Sequence, residues 1–199
     1  MAIKNPLVWI DCEMTGLDLE ADALVEVAVI ITDDDLNPID EGIDLIINPG
    51  EAPLEHMGNF VREMHTNSGL IDEIPHGLDM ETAEKQILDY IRKRIPKAGQ
   101  ALLAGNSVGT DKTFLHKDMP RVIEHLHYRI IDVSTVKELA KRWYPIVYRN
   151  APAKHGGHRA LADIRESVNE LQYYRQALAP AGEFDIDNLK ALAASLEIK

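Results

Sequence analysis

The sequence predicts an α/β fold, a mixed five-stranded sheet flanked by helices, and three observations carry that reading. Short apolar runs rich in β-branched residues alternate with longer segments of helical period. The first three runs are joined by connections too short for a crossover, which makes them antiparallel neighbours. In the second half each run is separated from the next by a helical segment, which argues for parallel additions to the same sheet.

The apolar run LVWI leads into Asp11 and marks a buried strand over 7–11. A longer apolar run covers 23–32, and DDDLNP supplies the turn toward a third strand over 43–47. Helical spacing fills 53–65 and 80–95. A strand over 101–105 then passes through Gly-Asn-Ser-Val-Gly into a helix from Asp111, and a strand over 128–132 leads to a helix over 134–143. The last long helix spans 158–176. No internal repeat or low-complexity run interrupts the series, so 1–179 is read as one domain. From Pro180 to Lys199 a tail follows, read as helical over 186–196 or else disordered.

At 199 residues and 45% hydrophobic content the chain buries a sizeable core. A single cysteine, Cys12, excludes an intramolecular disulfide framework and fits a reducing compartment. The segment MAIKNPLVWID is no signal peptide and no stretch is long enough to span a bilayer, so a cytoplasmic protein without a membrane partner is expected. The net charge of −12 argues against a grip on long nucleic acid. Its distribution is uneven. Residues 11–55 carry 14 acidic side chains and no lysine or arginine, whereas 112–159 carry 10 basic against 4 acidic ones. This is either a pair of ordinary solvated faces or a division of labour in which bound cations and a few local bases serve a substrate with few phosphates.

Five positions carry the chemistry: Asp11 and Glu13 at the end of the first strand, Asp111, and His158 with Asp163. Alternation along a strand puts Asp11 and Glu13 on one face, where two carboxylates repel unless a cation lies between them. Hard cations such as Mg²⁺ and Mn²⁺ take oxygen ligands, whereas zinc would call for more cysteine or an HExxH helix. A pair of such ions activates water and relieves a leaving oxygen in phosphodiester hydrolysis, and a neutral histidine accepts the proton. Each position has a plainer alternative, beginning with Asp11 and Glu13 as solvated acids on an edge strand. Thr110 or Asp111 can cap a helix, His158 can be a surface residue, and Asp163 can pair with Arg159 one turn away.

The ordered set Asp11, Glu13, Asp111, His158 and Asp163 resembles the DEDDh family of 3′-to-5′ exonucleases, with the histidine five positions before the last aspartate. WIDCEMTGLD, MHTNSGL, GNSVGTDKTFL, HYRIIDVSTVKELAKRWYP and HRALADIRESVNELQYYR resemble the oligoribonuclease branch of that family, over about 8–175. The resemblance implies a ribonuclease H-like exonuclease fold and two divalent cations, Mg²⁺ or Mn²⁺. Asp11, Glu13 and Asp163 would hold the first ion, Asp11 would also reach the second, Asp111 would support the second, and His158 would be the general base. It further implies that Leu17 wedges between the bases of a dinucleotide and that Phe60 stacks on one of them, although the family position is often tryptophan. The plain alternative for both is core packing, and without the resemblance Phe60 reads as a core residue. Ser107, Tyr128, Arg129, Ser134 and Lys137 resemble the family's cap on a 5′-phosphate, which includes residues from a second protomer and so implies a homodimer. Arginine suits the task through its planar fork, but Arg129 and Lys137 also read as surface charges. The implied activity is a 3′-to-5′ exoribonuclease on short single-stranded RNA, dinucleotides above all, finishing RNA decay and clearing linear dinucleotides. A DEDDh exonuclease acting on longer strands is the rival within the same chemistry. A catalytically silent nucleotide-binding dimer is the rival outside it.

Overall fold

The computed structural model describes residues 3–153 and 157–179. The tail expected after Pro180, with its 186–196 helix, lies outside them. Five strands form one sheet: β1 (Leu7–Met14), β2 (Leu24–Thr32), β3 (Ile43–Ile46), β4 (Leu102–Gly105) and β5 (His127–Asp132), in the order β3-β2-β1-β4-β5. β1 and β3 run antiparallel to β2, while β4 is parallel to both β1 and β5. The mixed sheet is therefore the one the connection lengths predict.

Every residue of β2 is buried because both faces of the sheet are covered, the circumstance in which a strand reads as a continuous apolar run. On one face Val8, Ile10, Val27, Val29 and Ile31 meet Ile87 and Ile91 of α4 (Met80–Arg94) and Phe114 and Leu115 of α5 (Gly109–Asp118). On the other, Trp9, Ala28, Ile30 and Ala104 meet Ala160, Ile164 and Val168 of α9 (Ala160–Ala177). Asp11 and Glu13 follow Trp9 at intervals of two, so they fall on the α9 side. Because β1, β4 and β5 point the same way, their carboxyl ends and the segments that follow lie along one edge, the usual position for a site in such a sheet.

Several elements depart from expectation. β1 continues beyond Asp11 to Met14, so both carboxylates stand within it. The helix expected over 53–65 is two helices, α1 (Glu51–His56) and α2 (Asn59–Asn67), because Met57 turns into the core and Gly58 adopts an extended conformation as the second N-cap. Short helices α3 (Leu70–Glu73), α6 (Pro120–His125) and α8 (Pro145–Arg149) have too few residues to display a period. Proline opens α6 and α8, where its missing N–H costs nothing. α7 (Val133–Trp143) and α9 match the expected helices, although α9 begins two residues after His158. In β5, Leu102 pairs with His127 but Leu103 with Ile130, so Tyr128 and Arg129 are bulged out of an edge strand and exposed. No helix of the described residues is long and apolar enough to cross a membrane.

Candidate active site

The carboxylates converge from three elements. Glu13 lies opposite Glu26 in the β1–β2 register, and the register breaks immediately afterward. Like charges across a ladder are unfavourable, and here both side chains are buried. Burial, then the neighbouring carboxylates Glu26, Asp163 and Asp111, push the Glu13 carboxyl up to about 8. Ligand atoms of Glu13, His158 and Asp163 all lie within 4.8 Å of one another. Asp11 stands two residues before Glu13 on the same strand face. Asp111 enters from the third position of α5, its Oδ1 accepting the Cys12 amide at 3.0 Å, and burial pushes its carboxyl up to about 6. The helix cap considered for Thr110 or Asp111 is not realised, since Val108 occupies the N-cap position and makes no side-chain cap bond. A buried Glu13 raised by its own burial and by neighbouring carboxylates, with its ligand atom close to that of Asp163, fits a hard divalent cation. Burial and then Asp111 raise the Cys12 thiol well above its ordinary range, so it is a small buried residue and no nucleophile.

His158 is exposed and has φ of +49°, a left-handed conformation that a non-glycine residue adopts only when its surroundings impose it. The next residue supplies the restraint. Arg159 donates from Nε to Glu26 at 3.0 Å and from its two terminal nitrogens to Glu73 at 2.8 and 3.2 Å. Glu26 is also held up in pKa, by burial first and then by Asp44, with Arg159 opposing both. Beside His158 is a cleft of about 510 Å³ that Phe60 and Met64 also line. Phe60 is 80% and Leu17 76% exposed, which removes core packing as the reason for either. His65, by contrast, is fully buried; its Nε2 donates to the Met14 carbonyl at 2.9 Å and its Nδ1 stands 3.9 Å from Glu13.

The residues expected around a 5′-phosphate fall into two groups. Ser107, itself at φ +54°, donates its amide to Asp132, and its hydroxyl lies 2.9 Å from that of Ser134. Ser134 donates to Asn106 at 2.7 Å, Asn106 donates to the buried Glu170 at 2.8 Å, and Lys137 pairs with Glu170 at 3.0 Å. Tyr128 and Arg129 form the second group on the bulge, where Arg129 Nε donates to the Tyr128 hydroxyl at 3.1 Å. No hydrogen bond among the described residues joins the two groups.

Residues 8–171 match the family model described as Exonuclease, RNase_T. Over 174 residues the chain is 61% identical to the oligoribonuclease of Leifsonia xyli subsp. xyli, covering 87% of this chain and 84% of that one. It belongs to the oligoribonuclease family of exonucleases. The Streptomyces griseus oligoribonuclease is 55% identical over 195 residues, covering 98% of this chain and 97% of its own. The fold recurs in E. coli exonuclease I, in the zinc-bound crystal structure of its complex with single-stranded DNA, with a TM-score of 0.70 at 14% identity. That match covers 87% of this chain but 41% of the other, so the chain spans about two-fifths of that structure's length, and the likeness is one of fold.

As a member of the oligoribonuclease family, the chain is a nuclease. The resemblance gives roles to the residues at the centre but none to those that support them, although Asn106, Arg159 and Glu170 lie inside its motifs. Glu26, Glu73 and Arg159 restrain His158, and Asn106 and Glu170 sit beneath the serines. Glu26 left a signal in the sequence, one acid inside the otherwise apolar run LVEVAVIIT. His65 lies within MHTNSGL, where the resemblance gives it no role. Glu170 falls inside HRALADIRESVNELQYYR without a role there, and nothing marks Glu73 in so acidic a chain.

Proposed function

We propose that this oligoribonuclease-family enzyme removes 5′-mononucleotides from the 3′ ends of very short RNA, dinucleotides above all, in a reducing cytoplasm, and so completes RNA decay and clears linear dinucleotides. The observation that carries this reading is the convergence of Glu13, His158 and Asp163 within 4.8 Å beside a cleft flanked by the exposed Phe60 ring. Asp11, Glu13 and Asp163 would hold one Mg²⁺ or Mn²⁺, with Asp11 and Asp111 serving a second. When bound, two such ions supply Lewis-acid activation of the attacking water and relief of charge on the leaving oxygen.

The chain's own side chains do the rest. His158, open to solvent on one side and within reach of Glu13 and Asp163 on the other, takes the proton of the attacking water and passes it to bulk. Arg159, gripped by Glu26 and Glu73, holds the imidazole in its left-handed backbone position. Attack at the scissile phosphorus breaks the P–O3′ bond and releases a nucleoside 5′-monophosphate, and the departing 3′ oxygen takes a proton from solvent to leave a 3′-hydroxyl on the shortened strand. Leu17 separates the two bases and Phe60 stacks on one, because each offers an apolar surface already in solvent.

Selectivity for short strands requires a barrier beyond the second nucleotide. Lys137 offers an ammonium on one side, beside the Ser107 and Ser134 hydroxyls, which would turn from their internal hydrogen bonds to meet a phosphate, and the bulged Tyr128 and Arg129 offer donors on the other. The apolar surface of α7 and α8, with Trp143, Tyr144 and Ile146 all largely exposed, suits a second protomer. A homodimer would bring one chain's bulge to the other's serines. Arg129→Ala should raise the Kd for a 5′-phosphorylated diribonucleotide roughly 10–100-fold and leave the melting temperature within about 2 °C, since an exposed bulge residue contributes little to folding. Titration calorimetry on both proteins, with and without the 5′-phosphate, measures this; equal affinity in variant and parent dismisses the cap.

A further inference from the structure

Leu17 and Phe60 stand on two different segments that are tied together twice. His65 Nε2 donates to the Met14 carbonyl at 2.9 Å, and His56 Nδ1 donates to Asp22 Oδ1 at 3.0 Å. Leu17 lies between Met14 and Asp22, and Phe60 lies between His56 and His65. Each exposed apolar residue is thus carried on a span whose two ends are fastened to the span carrying the other.

Asp22 is the hub of the second tie. Only 4% exposed, its carboxylate accepts the Thr15 hydroxyl at 2.8 Å, the Asp18 amide at 2.8 Å and the His56 ring. Thr15 Oγ1 in turn accepts the Ala23 amide at 3.1 Å. The backbone closes the same loop through Thr15 N to Ala23 O at 3.0 Å and Asp22 N to Asp18 O at 2.7 Å. From below, Lys117 of α5 donates to the Asp22 carbonyl at 2.8 Å. Gly16 measures how closely the chain wraps this carboxylate, because a Cβ there would lie 2.2 Å from Asp22 Oδ2. A buried carboxylate that accepts from three neighbouring donors is a stiff strut, since releasing one weakens the satisfaction of a buried charge.

We propose that Asp22 is a specificity-determining positioning residue, whose carboxylate fixes the Leu17 turn relative to Phe60 and so sets the slot that receives the bases of a dinucleotide. The inference rests on the reading of Leu17 and Phe60 as base-contacting residues. It goes further in assigning the geometry of the slot to a side chain that touches neither base nor phosphate. Asn at this position keeps the size but presents an amide N–H to donors that need an acceptor, so the turn loosens while the sheet beneath it stays intact.

The test compares a diribonucleotide with the nitrophenyl ester of uridine 5′-phosphate, which carries one base and leaves nothing for Leu17 to separate. Asp22→Asn is expected to raise KM for the diribonucleotide about 10-fold with kcat within about threefold, and to change kcat/KM for the ester less than about threefold. Added to Leu17→Ala, it should raise KM less than about twofold further, because a strut has no effect once the wedge it holds is gone. His56→Ala, at a half-exposed position that folding tolerates, removes one contact of the hub and should raise diribonucleotide KM about threefold. Equal losses on both substrates, a loss in kcat alone, or additivity with Leu17→Ala would overturn the proposal in favour of a general scaffold role. A Leu17→Ala variant with unchanged KM would overturn it too, and would place the failure in the base-wedge reading, since Asp22 would then have nothing to position.

Discussion

Replacing His158 with alanine should lower kcat for a diribonucleotide by roughly 10²–10⁴-fold, while KM stays within about threefold. The imidazole lies within 4.8 Å of the Glu13 and Asp163 ligand atoms yet is exposed, so it has access both to the nucleophile and to solvent. Its assigned task is to take a proton in the chemical step, which is why the loss should fall on kcat. Rapid-quench single-turnover rates separate chemistry from product release. Unchanged kcat would remove His158 from the mechanism.

The second large effect concerns metal and pH together. Glu13 is pushed up to about 8 and Asp111 up to about 6, in both cases by burial first. A carboxyl raised in the folded state binds its proton more tightly there than when unfolded. Its contribution is fully present below the unfolded pKa and is lost as pH rises through the folded one. In chelator the protein should therefore lose stability between about pH 4.5 and about pH 8. His56, raised by its hydrogen bond to Asp22, acts in the same direction as pH rises, but it holds no cation and cancels from a with-minus-without comparison. Asp40 and Asp79, lowered by their hydrogen bonds although burial partly offsets this at Asp40, lose their contributions only at more acid pH. Metal competes with the protons on Glu13 and Asp111, so its stabilisation should grow with pH. At about 100 times Kd, Mn²⁺ adds about 2.7 kcal/mol, or roughly 5–10 °C for a domain of this size. Thermal melts at about pH 5.5 and about pH 8, each with Mn²⁺ or chelator, measure it. A metal-induced shift that is the same at both values, or absent, would contradict the assignment of these carboxylates as ligands.

What the sequence made legible follows from the reach of its signals. Alternation over LVWIDCE placed Asp11 and Glu13 on one face, and the structure has them on the α9 side of β1. The run 23–32 and the spacing of α9 were equally plain, because long elements buried on a face repeat their period several times. The break at Met57 and Gly58 was not, since the apolar spacing on either side is compatible with one helix and only the capping geometry of Gly58 separates the two. Tyr128 and Arg129 read as ordinary strand residues; the bulge that exposes them depends on pairing with β4. Glu26 and Arg159 are 133 positions apart, and Asn106 and Glu170 are 64 apart. No local pattern in so acidic a chain marks which acid meets which donor. The centre was thus readable from motifs, while the buried polar ties that orient it emerged only with the fold.

The most direct test is the rate of mononucleotide release from a 5′-phosphorylated diribonucleotide, a pentaribonucleotide and a long single strand, each with Mn²⁺ or chelator. A capped two-nucleotide slot beside a carboxylate metal centre predicts rapid release from the diribonucleotide, at least about tenfold slower release from the pentamer, slower still from the long strand, and none in chelator. Equal or faster cleavage of the long strand would contradict the cap and make this a general exonuclease of the same chemistry. Cleavage that persists in chelator would contradict the metal centre itself.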